Sequence, residues 1–191
     1  MIDKLSFAEK DALLAVAREA ILNSTQNKKL PRINLNDYSK NLKENGASFV
    51  TLHTKNDHKL RGCIGSLEAY QPLILDVQVH AVAAAMEDFR FPPVKFEEVD
   101  NLQIEISRLT PPIPLKYTNP IELPGLLKIG VDGVIIQDGF KRATFLPQVW
   151  QQLPDPELFL SHLCSKMGES SKLWQTKLLE VSIYEVEEFH E

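Results

Sequence analysis

One stretch, residues 47 to 65, constrains the fold more than any other. Ala47 to Thr54 alternates apolar and polar residues, Lys55-Asn56-Asp57-His58-Lys59 has turn chemistry, and Leu60-Arg61-Gly62-Cys63-Ile64-Gly65 alternates again. Two alternating runs about a polar turn predict an antiparallel hairpin with one buried face. If Thr54 pairs with Leu60, then Leu52 opposes Gly62, Val50 opposes Ile64, His53 opposes Arg61 and Thr51 opposes Cys63. Val50, Leu52, Leu60 and Ile64 then share an apolar face, and Thr51, His53, Arg61 and Cys63 share a polar one. A slip of one residue would mix the two sets, so burial holds the register.

The polar face is the candidate site. Leu102 to Leu109 reads as a third strand, with Ile104 and Ile106 on the apolar side and Glu105 and Ser107 on the polar side. If it neighbours the hairpin, Cys63 gathers Arg61, His53, Glu105 and Thr51 around it, opposed residues being about 5 Å apart. A guanidinium or a charged imidazole beside a thiol lowers its pKa and makes it a nucleophile. Glu105 could pair Arg61 or fix the His53 tautomer. Gly62 and Gly65 mark close approach by another group, to a ligand or simply in packing. The competing reading is that Cys63 is a small core hydrophobe. Cys164, on a helical stretch, is read as filler.

The rest of the chain alternates helical and strand patterns. Ser6-Phe7-Ala8-Glu9 has capping-box spacing and opens a helix to about Asn23. A short helix over Asp37 to Glu44 is expected to end at Gly46. A long helix follows Gln71-Pro72 and stops at Phe91-Pro92-Pro93. Past Pro111, Pro112 and Pro114 the order recurs. It gives a short helix over Pro120 to Leu127, a strand over Lys128 to Gln137, an Asp138-Gly139 turn, a return strand over Phe140 to Phe145, a helix from Asp155 to Gly168 and a strand over Leu178 to Phe189. Helix, hairpin, helix, strand occurs twice. That order predicts an α+β fold of two lobes of mainly antiparallel sheet flanked by helices, residues 1–110 and 115–191, arranged as an internal duplication.

Composition narrows the function. The 43% hydrophobic and 25% charged fractions are those of a globular chain. A net charge of -5, with only Lys28-Lys29, Arg32 and Lys141-Arg142 as basic runs, disfavours nucleic-acid binding. No apolar run reaches the ~18 residues of a membrane span, and the N-terminus lacks a signal-peptide pattern. Two distant cysteines do not suggest a disulfide framework, so a cytoplasmic protein with reduced thiols is expected. None of the five histidines has zinc spacing, and there is no Walker, dinucleotide or serine-elbow motif, so no metal and no cofactor is assigned.

Asp88-Phe89-Arg90-Phe91-Pro92-Pro93 is the second notable stretch. The preceding helix should bring it back along the hairpin, where Asp88 could pair Arg61 and Arg90 could pair Glu105; the plainer reading is a helix cap and proline turn. Taken in order with Phe49-Val50-Thr51-Leu52, Leu60 to Gly65, Ile106-Ser107-Arg108-Leu109-Thr110-Pro111 and Phe145-Leu146-Pro147-Gln148-Val149, it resembles the AMMECR family over nearly the whole chain, most closely the AmmeMemoRadiSam system protein A branch. The resemblance implies one AMMECR domain over residues 1–191, of α+β fold and two subdomains, with the Leu60 to Gly65 run as functional segment. It also implies association with a Memo-like protein and a radical SAM enzyme, but no defined reaction. The chain departs from the family pattern at Phe89, where proline is usual, at Asp132, where histidine is frequent, and at Lys166-Met167-Gly168, where Lys-Ala-Gly is usual. The Asp132 change argues against an acid–base role for that loop. Two roles follow: a partner-binding module, or an enzyme or small-molecule binder using Cys63, with Thr51, Gly62, Gly65, Asp88 and Arg90 as its binding surroundings.

Overall fold

The structure is a computed structural model that describes residues 4–191. Ser6 caps helix α1 (Phe7–Thr25) through a complete capping box, Glu9 returning the bond to the Ser6 backbone. A short helix α2 (Lys40–Lys43) leads into β1 (Asn45–Thr54), which turns into β2 (Leu60–Gly65). Two-residue β3 (Gln71–Pro72) opens α3 (Leu73–Met86), and β4 (Leu102–Leu109) follows a short 3-10 helix over Phe96–Asn101. Then come β5 (Ile113–Pro114), α4 (Leu123–Leu126), β6 (Gly133–Asp138), β7 (Lys141–Phe145), α5 (Pro156–Lys166), α6 (Leu173–Thr176), β8 (Glu180–Tyr184) and β9 (Val186–His190). The fold is α+β, with two antiparallel sheets flanked by helices.

The chain divides into two compact units. The first comprises residues 1–110 with 187–191, the second residues 111–186. The first sheet has the order β2-β1-β4-β9, with β3 against β1; the second has the order β5-β8-β6-β7. In both, a hairpin's return strand lies at the edge, its first strand lies inside, and the strand after the second helix comes next. The expected single strand over Leu178 to Phe189 is broken at Glu185, and its last part joins the first sheet.

The core of the first unit follows the alternation. Val50, Leu52, Ile104 and Ile106 are buried on one face of the sheet. Against them pack Leu13, Ala17, Ala20 and Ile21 of α1, with Val77, Ala81 and Ala84 of α3. In the second unit, Trp150 stacks on Phe159 with ring centroids 3.7 Å apart, and Cys164 lies wholly buried beside them.

The hairpin register matches the alternation from Val50↔Ile64 through Leu52↔Gly62, and then it shifts. His53 pairs with Leu60, so Arg61 is an extra residue, and the expected His53–Arg61 opposition is not formed. A β-bulge of this kind bends an edge and re-aims a side chain. Other differences have local causes. Gly46 does not cap a helix but lies within β1, where a side chain would not fit: a Cβ there would come within 2.8 Å of Leu73 Cβ. Lys128 to Asp132 forms a turn rather than the start of a strand, with Gly130 at φ 78°. The second hairpin turns on Gly139-Phe140 instead of Asp138-Gly139, since Asp138 still pairs with Lys141.

At Gly62, α3 lies directly against the sheet. A Cβ on Gly62 would lie 2.1 Å from the Ala84 carbonyl oxygen. Neither backbone can yield without parting the helix from the strand. Gly62→Ala should therefore destabilise the protein by about 3 kcal/mol, as overpacking against a backbone does. Gly125→Ala, at a position with open space around its would-be Cβ, should be neutral to stabilising. Urea unfolding of both variants checks this.

Candidate functional site

Strand β2 is an edge strand, so one side of its backbone is not paired with β1. The Asp88–Pro93 loop, leaving the end of α3, covers that side at Cys63. Asp88 Oδ2 accepts the Cys63 backbone N–H at 2.9 Å, and Arg90 Nη2 donates to the Cys63 carbonyl at 3.3 Å. The two side chains also pair with each other, Arg90 Nε to Asp88 Oδ1 at 2.9 Å and Arg90 Nη2 to Asp88 Oδ2 at 2.6 Å. Asp88 is only 4% exposed. Bidentate bonding to a guanidinium stabilises a charged carboxylate, and Arg90 holds the Asp88 carboxyl well below the usual range.

The bulge sends Arg61 to the far end of the same loop. Its guanidinium donates to the Pro92 carbonyl at 2.9 Å and the Pro93 carbonyl at 3.4 Å. It also grips Glu98, Nε to Oε1 at 3.1 Å and Nη2 to Oε2 at 3.2 Å. Arg61 in turn holds the Glu98 carboxyl below its ordinary value. The Asp88–Arg61 and Arg90–Glu105 pairs anticipated from sequence are not formed. Both arginines take partners nearer to hand.

On the face of the sheet away from α1 and α3, a row forms across three strands: Cys63 opposite Thr51 and Thr51 opposite Glu105. Thr51 Oγ1 donates to Cys63 Sγ at 3.2 Å. Glu105 is half-buried, and its side chain makes no hydrogen bond or ion pair among the described residues. His53, two residues along β1 and opposite Gln103, makes none either. The structure thus brings Cys63, Thr51 and Glu105 together and fixes Asp88 and Arg90 on the Cys63 backbone. It directs the Arg61 head away to Glu98 and leaves His53 without a bond to the thiol.

The two glycines of the run serve packing. Gly62 admits the Ala84 carbonyl, and a Cβ on Gly65 would lie 2.3 Å from the Phe49 ring and 2.4 Å from the Ser48 carbonyl oxygen. Ile64 packs against the core. Each residue from Arg61 to Gly65 therefore has a role in the fold through its backbone or side chain, and the Cys63 thiol is the group left over. In the neighbouring loop the leftover group is Phe89, 94% exposed.

Sequence reasoning missed Glu98 and a buried polar cluster. Asp76, with no exposed surface, accepts the Ser48 N–H at 2.9 Å and the Ser48 hydroxyl at 2.7 Å, and its Oδ2 lies 3.1 Å from His80 Nδ1. The signal was there: an Asp and a His four residues apart on an otherwise apolar helix face. Both serine contacts go directly to the carboxylate, so this cluster ties α3 to β1 rather than forming a nucleophile and base. Asp132 is likewise a brace, its carboxylate accepting the Lys128 N–H at 2.8 Å. Among the described residues no group of three or more His, Cys, Asp or Glu is arranged to hold a metal ion, and no helix is long and apolar enough to cross a membrane.

Two antiparallel-sheet units of matching strand order, with an Arg-Gly-Cys edge strand braced by an Asp-x-Arg loop, define an α+β protein class. The chain belongs to the AMMECR1 family, whose family model matches residues 14–189. Protein MJ0810 of Methanocaldococcus jannaschii is 39% identical over 188 residues, covering 98% of this chain and 92% of that one. A protein of Methanothermobacter thermautotrophicus is 39% identical over 191 residues, covering 98% and 96%. The crystal structure of the uncharacterized protein PH0010 from Pyrococcus horikoshii superposes with a TM-score of 0.76 at 37% identity, covering 94% of this chain and 89% of that one.

Folding keeps the Asp88 and Glu98 carboxyls charged, since each titrates below its ordinary value. The stability they lend is complete above the unfolded values, about 4, and is lost as the pH falls through the lower folded ones. Asp88→Asn should therefore lower Tm by a constant amount from neutral pH down to about pH 4, with the gap closing below that. Thermal melts across that range test it. Burial also pushes the Cys164 thiol up, so iodoacetamide on the folded protein should label the half-buried Cys63 and spare Cys164, as read by peptide mass mapping.

Proposed function

We propose that the chain is a binding module acting with a Memo-like protein and a radical SAM enzyme in the cytoplasm, and that the Asp88–Pro93 loop on the β2 edge is the surface it offers. The observation that carries this reading is how the site's charged groups are used. Arg61, Asp88 and Arg90 all bond to main chain, to each other or to Glu98. Among the described residues, only a threonine hydroxyl bonds to the sulfur. A nucleophilic cysteine needs a cation or base directed at it. What the arrangement supports instead is a loop held rigid from both ends, with Phe89 standing in solvent. Rigid presentation of an aromatic side chain lowers the ordering cost of association. The partners named rest on the family resemblance.

Purified full-length chain should retain one or both partners in a pull-down, and recovery of neither overturns the reading. Cys63→Ala should leave binding intact. Phe89→Ala, which removes a side chain exposed to solvent, should weaken it roughly tenfold, as loss of an aromatic anchor does.

The second reading is an enzyme or small-molecule binder that uses Cys63 as a reactive thiol. The half-buried Glu105 carboxylate, without a bond of its own in the Thr51–Cys63 row, favours it. The rate of Cys63 alkylation against pH decides: no reaction below the ordinary thiol pKa of about 8.5 removes the activated-thiol reading.

A further inference from the structure

We infer that the Asp88–Arg90 pair is a plug on the β2 edge, and that without it β2 pairs with the β2 strand of a second copy of the chain. The inference does not depend on the partner reading. Strand β2 ends its sheet. Its N–H and C=O groups must alternate between facing β1 and facing outward. At Cys63 they face outward, because both are taken by the loop and neither by β1.

An outward N–H and C=O on one residue is what an incoming antiparallel strand reads. Here side chains occupy both places. The Asp88 carboxylate stands where an incoming carbonyl would sit, 2.9 Å from the Cys63 nitrogen. The Arg90 guanidinium stands where an incoming N–H would sit, 3.3 Å from the Cys63 oxygen. Their mutual bonds make the plug one unit, and Arg61 fixes the loop behind it at Pro92 and Pro93.

Beyond the bulge at Arg61, nothing in the strand itself opposes pairing. Its sequence is Leu60, Arg61, Gly62, Cys63, Ile64, Gly65, with no proline and with its one charge bound to Glu98. Edges without such devices are the ones that associate. Pairing of β2 with β2 about Cys63 is self-complementary, so it closes as a two-fold dimer. It would set the two Cys63 residues opposite each other as a hydrogen-bonded pair, with Cα atoms about 5.5 Å apart. That spacing suits a disulfide.

The test uses the full-length chain with Asp88→Ala and Arg90→Ala combined. Light scattering in the micromolar range should show an association step that the unaltered protein lacks. Diamide, which takes up the two electrons and two protons of a thiol pair, should link Cys63 to Cys63 at least about tenfold faster in the double variant, the change expected from freeing about one hydrogen bond. Adding Cys63→Ser should abolish the link and leave the association. A double variant that keeps the parent's circular dichroism and cooperative melt but gains neither association nor linkage overturns the proposal. So does a dimer that forms without the link. If the double variant does not fold, Arg90→Ala alone decides by the same two readouts, with unchanged behaviour counting against the plug.

Discussion

Contact between a helix and a strand at one glycine sets the frame. With only hydrogen on Gly62, α3 lays the Ala84 carbonyl on β2. That approach buries Val50, Leu52, Ile104 and Ile106 beneath Ala81 and Ala84. It also decides where the end of α3 emerges, which is beside the edge of the sheet at Cys63. Asp88 reaches the Cys63 amide because the helix delivers it there. A wider spacing would leave the loop unanchored and the edge bare.

Much of what looks like catalytic chemistry in this region is main-chain satisfaction. Two arginines, an aspartate and a glutamate crowd the Arg61 to Gly65 segment, and such a density of charge suggests reactivity. Their bonds run to the Cys63 amide and carbonyl, to the Pro92 and Pro93 carbonyls, and to one another. Buried or half-buried backbone groups at a sheet edge need partners, and side chains here supply them. The thiol row of Cys63, Thr51 and Glu105 lies on a separate face from the helices and is chemically simpler than the charges nearby suggest.

What could be read in the sequence, and what could not, divides along physical lines. The alternation of Val50, Leu52 and Ile64 gave the faces because one side is buried and the other is not. The same parity put Glu105 on the polar face, while its register opposite Thr51 came only with the structure. The bulge at Arg61 left no trace, because an extra residue next to a polar turn does not disturb the apolar pattern. Gly46 was misjudged because a glycine after a helical stretch suggests a cap, whereas its reason is the Leu73 side chain across β3. The loop was expected near the hairpin and is there. Its bonds were expected between side chains and fall on the backbone, which presents the same groups whatever the residue and so leaves no signature in sequence. The family resemblance pointed to the right segment without distinguishing its backbone roles from its thiol.

The return of β9 to the first sheet has an implication for how the molecule is made. Glu191 donates its backbone N–H to the Ile104 carbonyl at 3.2 Å, and its side chain meets Arg18 of the first helix. A ribosome therefore releases the second unit's entire sequence before the first sheet can gain its last strand. Until then β4 has a bare side during synthesis, and the first unit, although made before the second, is finished after it.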